Sequence, residues 1–589
     1  MKRFNVHFFN LILILLVSVH TQAATTEWAK SFGGEDDDQP YATAVDGNGN
    51  LFVLTQFKYT CDFDPHTYKT ANVTPTSLMA SVAVSKYDAN GNFIWVKSFS
   101  INTPNGGTFY AGTMVLDKAG NVYFGGNFSG TTDFNPDPLV VANLTPQPVT
   151  HSNPDYDSGN ADGFVCKLDN NGNFVWVKQF LGDLNQDVLK ISVDDASNVF
   201  VSAISAGLTG IQADFNPDPT DTAIFTNTSN ESQYIVKLDA AGNYVWAKQL
   251  QGTGDKYCYG IKTDTDGNLY LGGHFLNKIY PDPSKTTTYH TAPEGTTDLF
   301  FIKWDANGNY VWSKSFGGTS YDVFGSLEIE PATNSIYISG DFFGTVDFNM
   351  NPSNKKILST TGNNDGFLAK YDAAGNCEWA KQIGGAGQDK VQLISLDALG
   401  NVFIGGQFAK TINFDAGVSN VSFTSAGNSD AFIAKLDNKG NFKWAKQIGG
   451  LGWDWTGGIG AIRDGNVFAT GVFTFDASIG FTGEPLTAVG GREVWMFKSS
   501  LTTDVKGIKL DANISIFPNP TLGQTLINLN KEFSDITVTV RNLMGAEIYN
   551  KNYRNVSKIS LNLQGESGLY FVDLKDNNGK LQTLKVVKK

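Results

Sequence analysis

Hydrophobic and polar positions alternate along most of the chain in short runs closed by Gly, Asn and Asp, as in IKTDTDGNLYLGGHF (Ile261 to Phe275). A period of two puts successive side chains on opposite faces of a pleated strand, and the runs are rich in the β-branched and aromatic residues that strands favour. The breaks between runs repeat as D-x-x-G-N, at Asp46, Asp169 and Asp239 among others. Glycine supplies a left-handed residue there, and the aspartate bonds to its own downstream backbone, so each break reads as a hairpin turn.

The pattern is also periodic on a longer scale. A W-x-K signature recurs at Trp28, Trp95, Trp176, Trp246, Trp312, Trp379 and Trp444, with spacings of 67, 81, 70, 66, 67 and 65 residues. A K-x-D signature accompanies it at Lys86, Lys167, Lys237, Lys303, Lys370 and Lys435, with a degenerate copy at Lys498. Each unit contains four short strands, a to d, and seven such units predict a seven-bladed β-propeller. The array opens on a lone d-type strand, EWAKSF from Glu27, and ends on a lone c-type strand, VWMFKSS around Lys498. Pairing the two closes the ring and removes both exposed edges. The b–c loops are long and variable, and together with the d–a connections they fall on one face, where binding is expected.

The amino terminus is not part of this pattern. Lys2 and Arg3 precede an apolar run from Phe8 to Val19 and the small residues Ala23 and Ala24, which predicts a secretory signal over residues 1–24. Export permits disulfides, yet Cys61, Cys166, Cys258 and Cys377 lie in unrelated contexts without metal-ligand spacing, so free buried thiols are expected. The net charge of −14 excludes a general nucleic-acid binder. The charge is uneven: from Lys506 onward there are 12 basic and 7 acidic residues, leaving 32 basic and 51 acidic before it. A domain boundary near residue 505 follows.

Two resemblances emerge from these motifs. The units, with W-x-K-x-F-G-G, D-x-x-G-N-V-Y and D-F-N-P, resemble the SBBP-type β-propeller repeats of exported bacterial proteins over residues 25–500. Residues 513–589 read as a short all-β domain, and they resemble the type A C-terminal sorting domain of the type IX secretion system. The matching positions are Pro518, Asn519 and Pro520, Gly545 within the run from Val540 to Ile548, and Gly568 and Tyr570 of G-L-Y. This second resemblance implies an immunoglobulin-like β-sandwich and a Bacteroidota-type source. It also implies passage through the Sec translocon and the type IX machinery, then removal of the domain by a surface sortase-like protease. Residues 501–512 are the expected linker and processing region.

Candidate chemistry is sparse. The b–c loops repeat an acidic motif, in which Asp133, Asn135 and Asp137, and likewise Asp214, Asn216 and Asp218, place alternate oxygens as calcium ligands or as an Asx/Pro turn anchored by Phe. Calcium is the sole cofactor candidate. Trp453 and Trp455 of GLGWDWTGG break the repeat on a d–a connection and are the candidate ligand-stacking residues. The periodic tryptophans are assigned to packing between blades. No hydrolase elbow or zinc-protease spacing occurs, and no catalytic residue is assigned. The expectation is an exported, monomeric, non-catalytic module binding glycan or protein. The alternative is a glycan hydrolase or lyase with carboxylates near the propeller axis.

Overall fold

In the computed structural model, residues 25–500 and 514–589 are described, apart from short stretches, the longest at 147–160, and a few single positions. The expected secretory segment, the processing region and Gly545 lie outside the described residues. The chain divides into two compact units, Met1–Leu501 and Thr502–Lys589.

The first unit is an all-β propeller. Among the described residues, seven four-stranded antiparallel blades follow one another, five of them extended to six strands by a flap, beginning with strands Gln39–Val45, Leu51–Phe57, Ser81–Tyr87 and Phe93–Phe99. The inner strands of the next six start at Phe109, Gln186, Lys256, Val323, Asp389 and Trp455. Each packs on the inner strand that follows it, and the last packs on the first. The seventh sheet, Trp455–Ala461, Val467–Thr474 and Arg492–Ser500, takes Thr25–Gly34 as its outer strand. Trp28 pairs there with Lys498 and Phe32 with Val494, so the first strand closes the ring.

The repeated motifs hold blade to blade. In each D-x-x-G-N turn the aspartate locks the hairpin; Asp46 Oδ1 accepts the N–H groups of Asn48 and Asn50, each at 2.9 Å, and Oδ2 accepts from the Asn50 amide at 2.8 Å. The tryptophan of one blade lies over the turn glycine of the next: a β-carbon on Gly91 would stand 3.0 Å from the Trp28 ring, and one on Gly440 3.1 Å from Trp379. The strand-c lysine crosses the same junction. Lys86 sits 4.8 Å from the Phe52 ring centroid and donates to the Asn170 carbonyl at 3.1 Å; Lys498 sits over Phe468 and donates to the Ala89 carbonyl at 3.1 Å. All four cysteines are free and buried.

The second unit is a small β-sandwich. One sheet holds Ser515–Phe517, Gln524–Phe533 and Val556–Asn562, and the other holds Glu547–Tyr553, Ile536–Asn542, Gly568–Asp576 and Leu581–Lys588. Ile527, Val538, Ile559, Tyr570 and Val572 fill the space between them. Asn519 ties Pro518 and Pro520 to the last strand: its amide donates to the Lys585 carbonyl at 2.7 Å and its Oδ1 accepts the Val587 N–H at 2.9 Å.

Candidate ligand site at the propeller axis

The acidic b–c loops do not project freely. In several blades the loop forms a two-stranded flap that extends the outer strand of the preceding blade, through Gly33 opposite Asp62, Leu181 opposite Asp214 and Gly384 opposite Asn413. The Phe of each motif is the anchor, since Phe63, Phe134, Phe215 and Phe348 are fully buried. The oxygens offered as calcium ligands serve their own loop. Asp133 Oδ1 accepts from the N–H groups of Asn135 (3.0 Å) and Ala142 (2.9 Å), Asn135 Oδ1 from Asp137 N–H (3.0 Å), and Asp137 Oδ1 from Leu139 N–H (3.0 Å). Asp214, Asn216 and Asp218 repeat the arrangement with Ala223 and Thr220. Among the described residues, no group of three His, Cys, Asp or Glu side chains gathers to hold a metal.

The inner strands build a different site. Every one of them shifts register at the same place, between Pro40 and Ala42, Ala111 and Thr113, Val188 and Lys190, Tyr257 and Gly260, Phe324 and Ser326, Val391 and Leu393, and Thr456 and Gly458. A bulge re-aims the neighbouring side chains. Just before it, at the d–a end of the axis, each blade presents one cross-strand pair. These pairs are Gln39–Gln56, Tyr110–Asn127, Asp187–Ile204, Tyr257–His274, Val323–Asp341, Lys390–Gln407 and Trp455–Val472.

These residues interlock around the mouth. Tyr41 donates to Gln39 or Gln56, both at 3.2 Å, and meets Tyr110 edge-on with centroids 5.0 Å apart. Tyr257 and Tyr259 stack at 5.9 Å, and both rings touch His274. His274 Nδ1 accepts the Phe324 N–H at 3.4 Å, and burial pushes its pKa down to about 4, so the ring is neutral at pH 7. Burial raises Asp187 to about 6, against hydrogen bonding with Asn127, and raises Asp341 to about 6, against the charge of Lys390. The Arg492 guanidinium lies 5.3 Å from the Trp455 ring centroid. Below the mouth, all seven inner strands line a channel of about 140 Å³ that carries Lys190, Lys262 and Glu328; Lys262 pairs with Glu328 at 2.6 Å. That volume is well under the several hundred Å³ of a typical small-molecule pocket.

Of the two tryptophans singled out in the sequence, Trp455 belongs to this ring. Trp453 lies outside it, 57% exposed, with its backbone N–H donating to Thr474 Oγ1 at 2.7 Å. The tyrosine-rich part of the ring escapes sequence inspection. The inner-strand position holds six residue types over the seven blades, with only tyrosine used twice, so no motif repeats.

Residues 515–589 match the family model described as a secretion system C-terminal sorting domain. The chain is 23% identical over 497 residues to an uncharacterized WD repeat-containing protein of Acanthamoeba polyphaga mimivirus, covering 72% of this chain and 34% of that one. It is 25% identical over 245 residues to regulatory protein FlaEY of Caulobacter vibrioides, covering 38% of this chain and 24% of that one. The chain thus spans about a third or less of these curated relatives. Solved structures with similar chains include a puromycin hydrolase (10% identity, TM-score 0.36, 83% of this chain and 58% of that one) and Sqt1 from Chaetomium thermophilum (10%, 0.32, 76% and 97%). The protein is a β-propeller repeat protein with a type IX sorting tail, and the tail implies a secreted or cell-surface location.

Proposed function

We propose that this propeller is a non-catalytic glycan-binding module, delivered by the type IX machinery and freed from its tail by a surface sortase-like protease within residues 501–512. The carrying observation is the composition of the axial mouth. Tyr41, Tyr110, Tyr257, Tyr259 and Trp455 offer aromatic faces, and Gln39, Gln56, Asn127, Asp187 and Asp341 offer planar donors and acceptors beside them. Aromatic faces cover the C–H faces of a sugar ring, while fixed amides and carboxylates bond its hydroxyls. The narrow channel beneath supports holding a chain end or branch at the mouth rather than enclosing a substrate. Residues 1–24 direct Sec export in this reading.

The test is a screen of the mature chain on a polysaccharide and glycoprotein panel, recording bound material and released fragments together. Binding that Tyr110→Ala and Trp455→Ala each weaken at least tenfold supports the reading. Released fragments would overturn it in favour of hydrolysis, with Asp187 and Asp341 as the carboxyl groups to examine.

A further inference from the structure

Four blade junctions carry a feature that neither the turns nor the axial mouth uses. Strand d ends there in Gly-Gly, and an aspartate follows four residues after the second glycine. Asp38, Asp322, Asp389 and Asp454 each accept, through Oδ2, the N–H of Gly34 (2.6 Å), Gly318 (2.8 Å), Gly385 (2.7 Å) and Gly450 (2.8 Å). Facing each is a second acid from the start of strand c in the preceding blade: Glu493, Asp298, Asp365 and Asp430. All eight acids are buried, none more than 8% exposed. The glycines are required because the carboxyl groups converge on them. A β-carbon on Gly317 would stand 2.2 Å from Asp298 Oδ1 and 2.9 Å from Asp322 Oδ2.

The junction of Asp365 and Asp389 is the most complete. The outer oxygens are tied down: Asp365 Oδ2 accepts from the Thr361 N–H at 3.0 Å, and Asp389 Oδ2 from Gly385. Both Oδ1 atoms are buried without a hydrogen-bond partner, and so are Asp298 Oδ1 and Asp38 Oδ1 at two other junctions. Two carboxylates cannot both ionise in such a place without a counter-charge, because burial and mutual repulsion act together. Burial is the main cause that raises Asp389 to about 8, with the charge of Asp365 adding to it.

We propose that the Asp365–Asp389 pair binds a divalent cation of the calcium class, which clamps the two adjacent blades together. A hard dication neutralises two carboxylates, accepts oxygen ligands in flexible number and takes water for the rest. This site differs from the acidic b–c loops, whose Oδ1 atoms are already occupied by their own backbone N–H groups, and from the junctions of Asp322 and Asp454, whose Oδ1 atoms accept the Phe343 N–H at 3.2 Å and the Thr474 N–H at 2.9 Å.

The test is equilibrium dialysis of the calcium-stripped mature chain with calcium alone, at pH 8.5 and pH 5, alongside melting curves. The expected result is stoichiometric binding at pH 8.5 that weakens at least tenfold at pH 5, with one equivalent fewer in Asp389→Asn and an unchanged count in Asp133→Asn. Should Asp389→Asn fail to fold, Asp365→Asn reads the same loss from the other side of the pair. No bound calcium at pH 8.5, or full stoichiometry in both Asp389→Asn and Asp365→Asn, overturns the proposal. So does loss of binding confined to Asp133→Asn and Asp214→Asn. A shared proton would then be what holds the pair.

Discussion

If Thr25–Gly34 completes the seventh sheet, truncating Phe32 must cost as much as truncating its counterpart in the middle of the array. Phe32 is 4% exposed and packs against Phe63 and Tyr87, with ring centroids 5.4 and 5.9 Å away, in a cluster that includes Val494 and Met496 from the other end of the propeller. Phe316 occupies the same position of the fourth blade, 5% exposed, with Phe348 and Tyr371 at 5.2 and 6.0 Å. Removing a buried phenylalanine costs about 3–5 kcal/mol through lost transfer energy and the cavity left behind. Both Phe32→Ala and Phe316→Ala therefore lose about 4 kcal/mol, equal within roughly 1 kcal/mol. Urea unfolding followed by tryptophan fluorescence measures both. A loss under about 1 kcal/mol for Phe32→Ala, beside the full loss for Phe316→Ala, would refute closure by the first strand, because a frayed strand costs little to disturb.

Other predictions follow from single contacts. Gly91 has φ +72° and faces the Trp28 ring, so Gly91→Ala lowers the melting temperature through a left-handed strain of about 1–2 kcal/mol plus the displaced ring, whereas Gly47→Ala, with open space around it, leaves it within error. Asp389 holds its proton up to about pH 8 in the folded chain, while an unfolded aspartate releases it near 4. In chelator, stability contributed by that proton is full at low pH and lost as pH rises from about 4 to about 8; Asp389→Asn flattens this decline in a pH series of urea midpoints. Asn519→Ala removes two hydrogen bonds to the last strand, and a loss of about 1–2 kcal/mol should appear as faster amide exchange at Val587.

The strands, turns and ring closure were legible because each depends on local chemistry repeated many times: period-two alternation, Asp and Gly in the turns, and a tryptophan over the next blade's glycine. The acidic loops were legible as Asx turns but not as flaps, since the pairing of Asp214 with Leu181 joins neighbouring blades. The axial mouth was legible only at Trp455, where an unusual residue stood out. Tyr110, Asp187 and Tyr257 meet there because identical bulges in separate blades aim different side chains inward, a coincidence of geometry rather than of motif. The buried acid pairs were hidden in the same way. G-G-x-x-x-D is visible at Gly384 to Asp389, but its partner Asp365 lies on another strand.

The most direct measurement is isothermal titration of the mature chain with the best-retained glycan of the panel, repeated with Tyr110→Ala, Trp455→Ala and the outer-rim variant Asp133→Ala. Binding at the axial mouth predicts at least a tenfold weaker affinity for the first two and no change for the third. Unchanged affinity in both mouth variants, or a loss confined to Asp133→Ala, would contradict the assignment and move the site to the outer flaps.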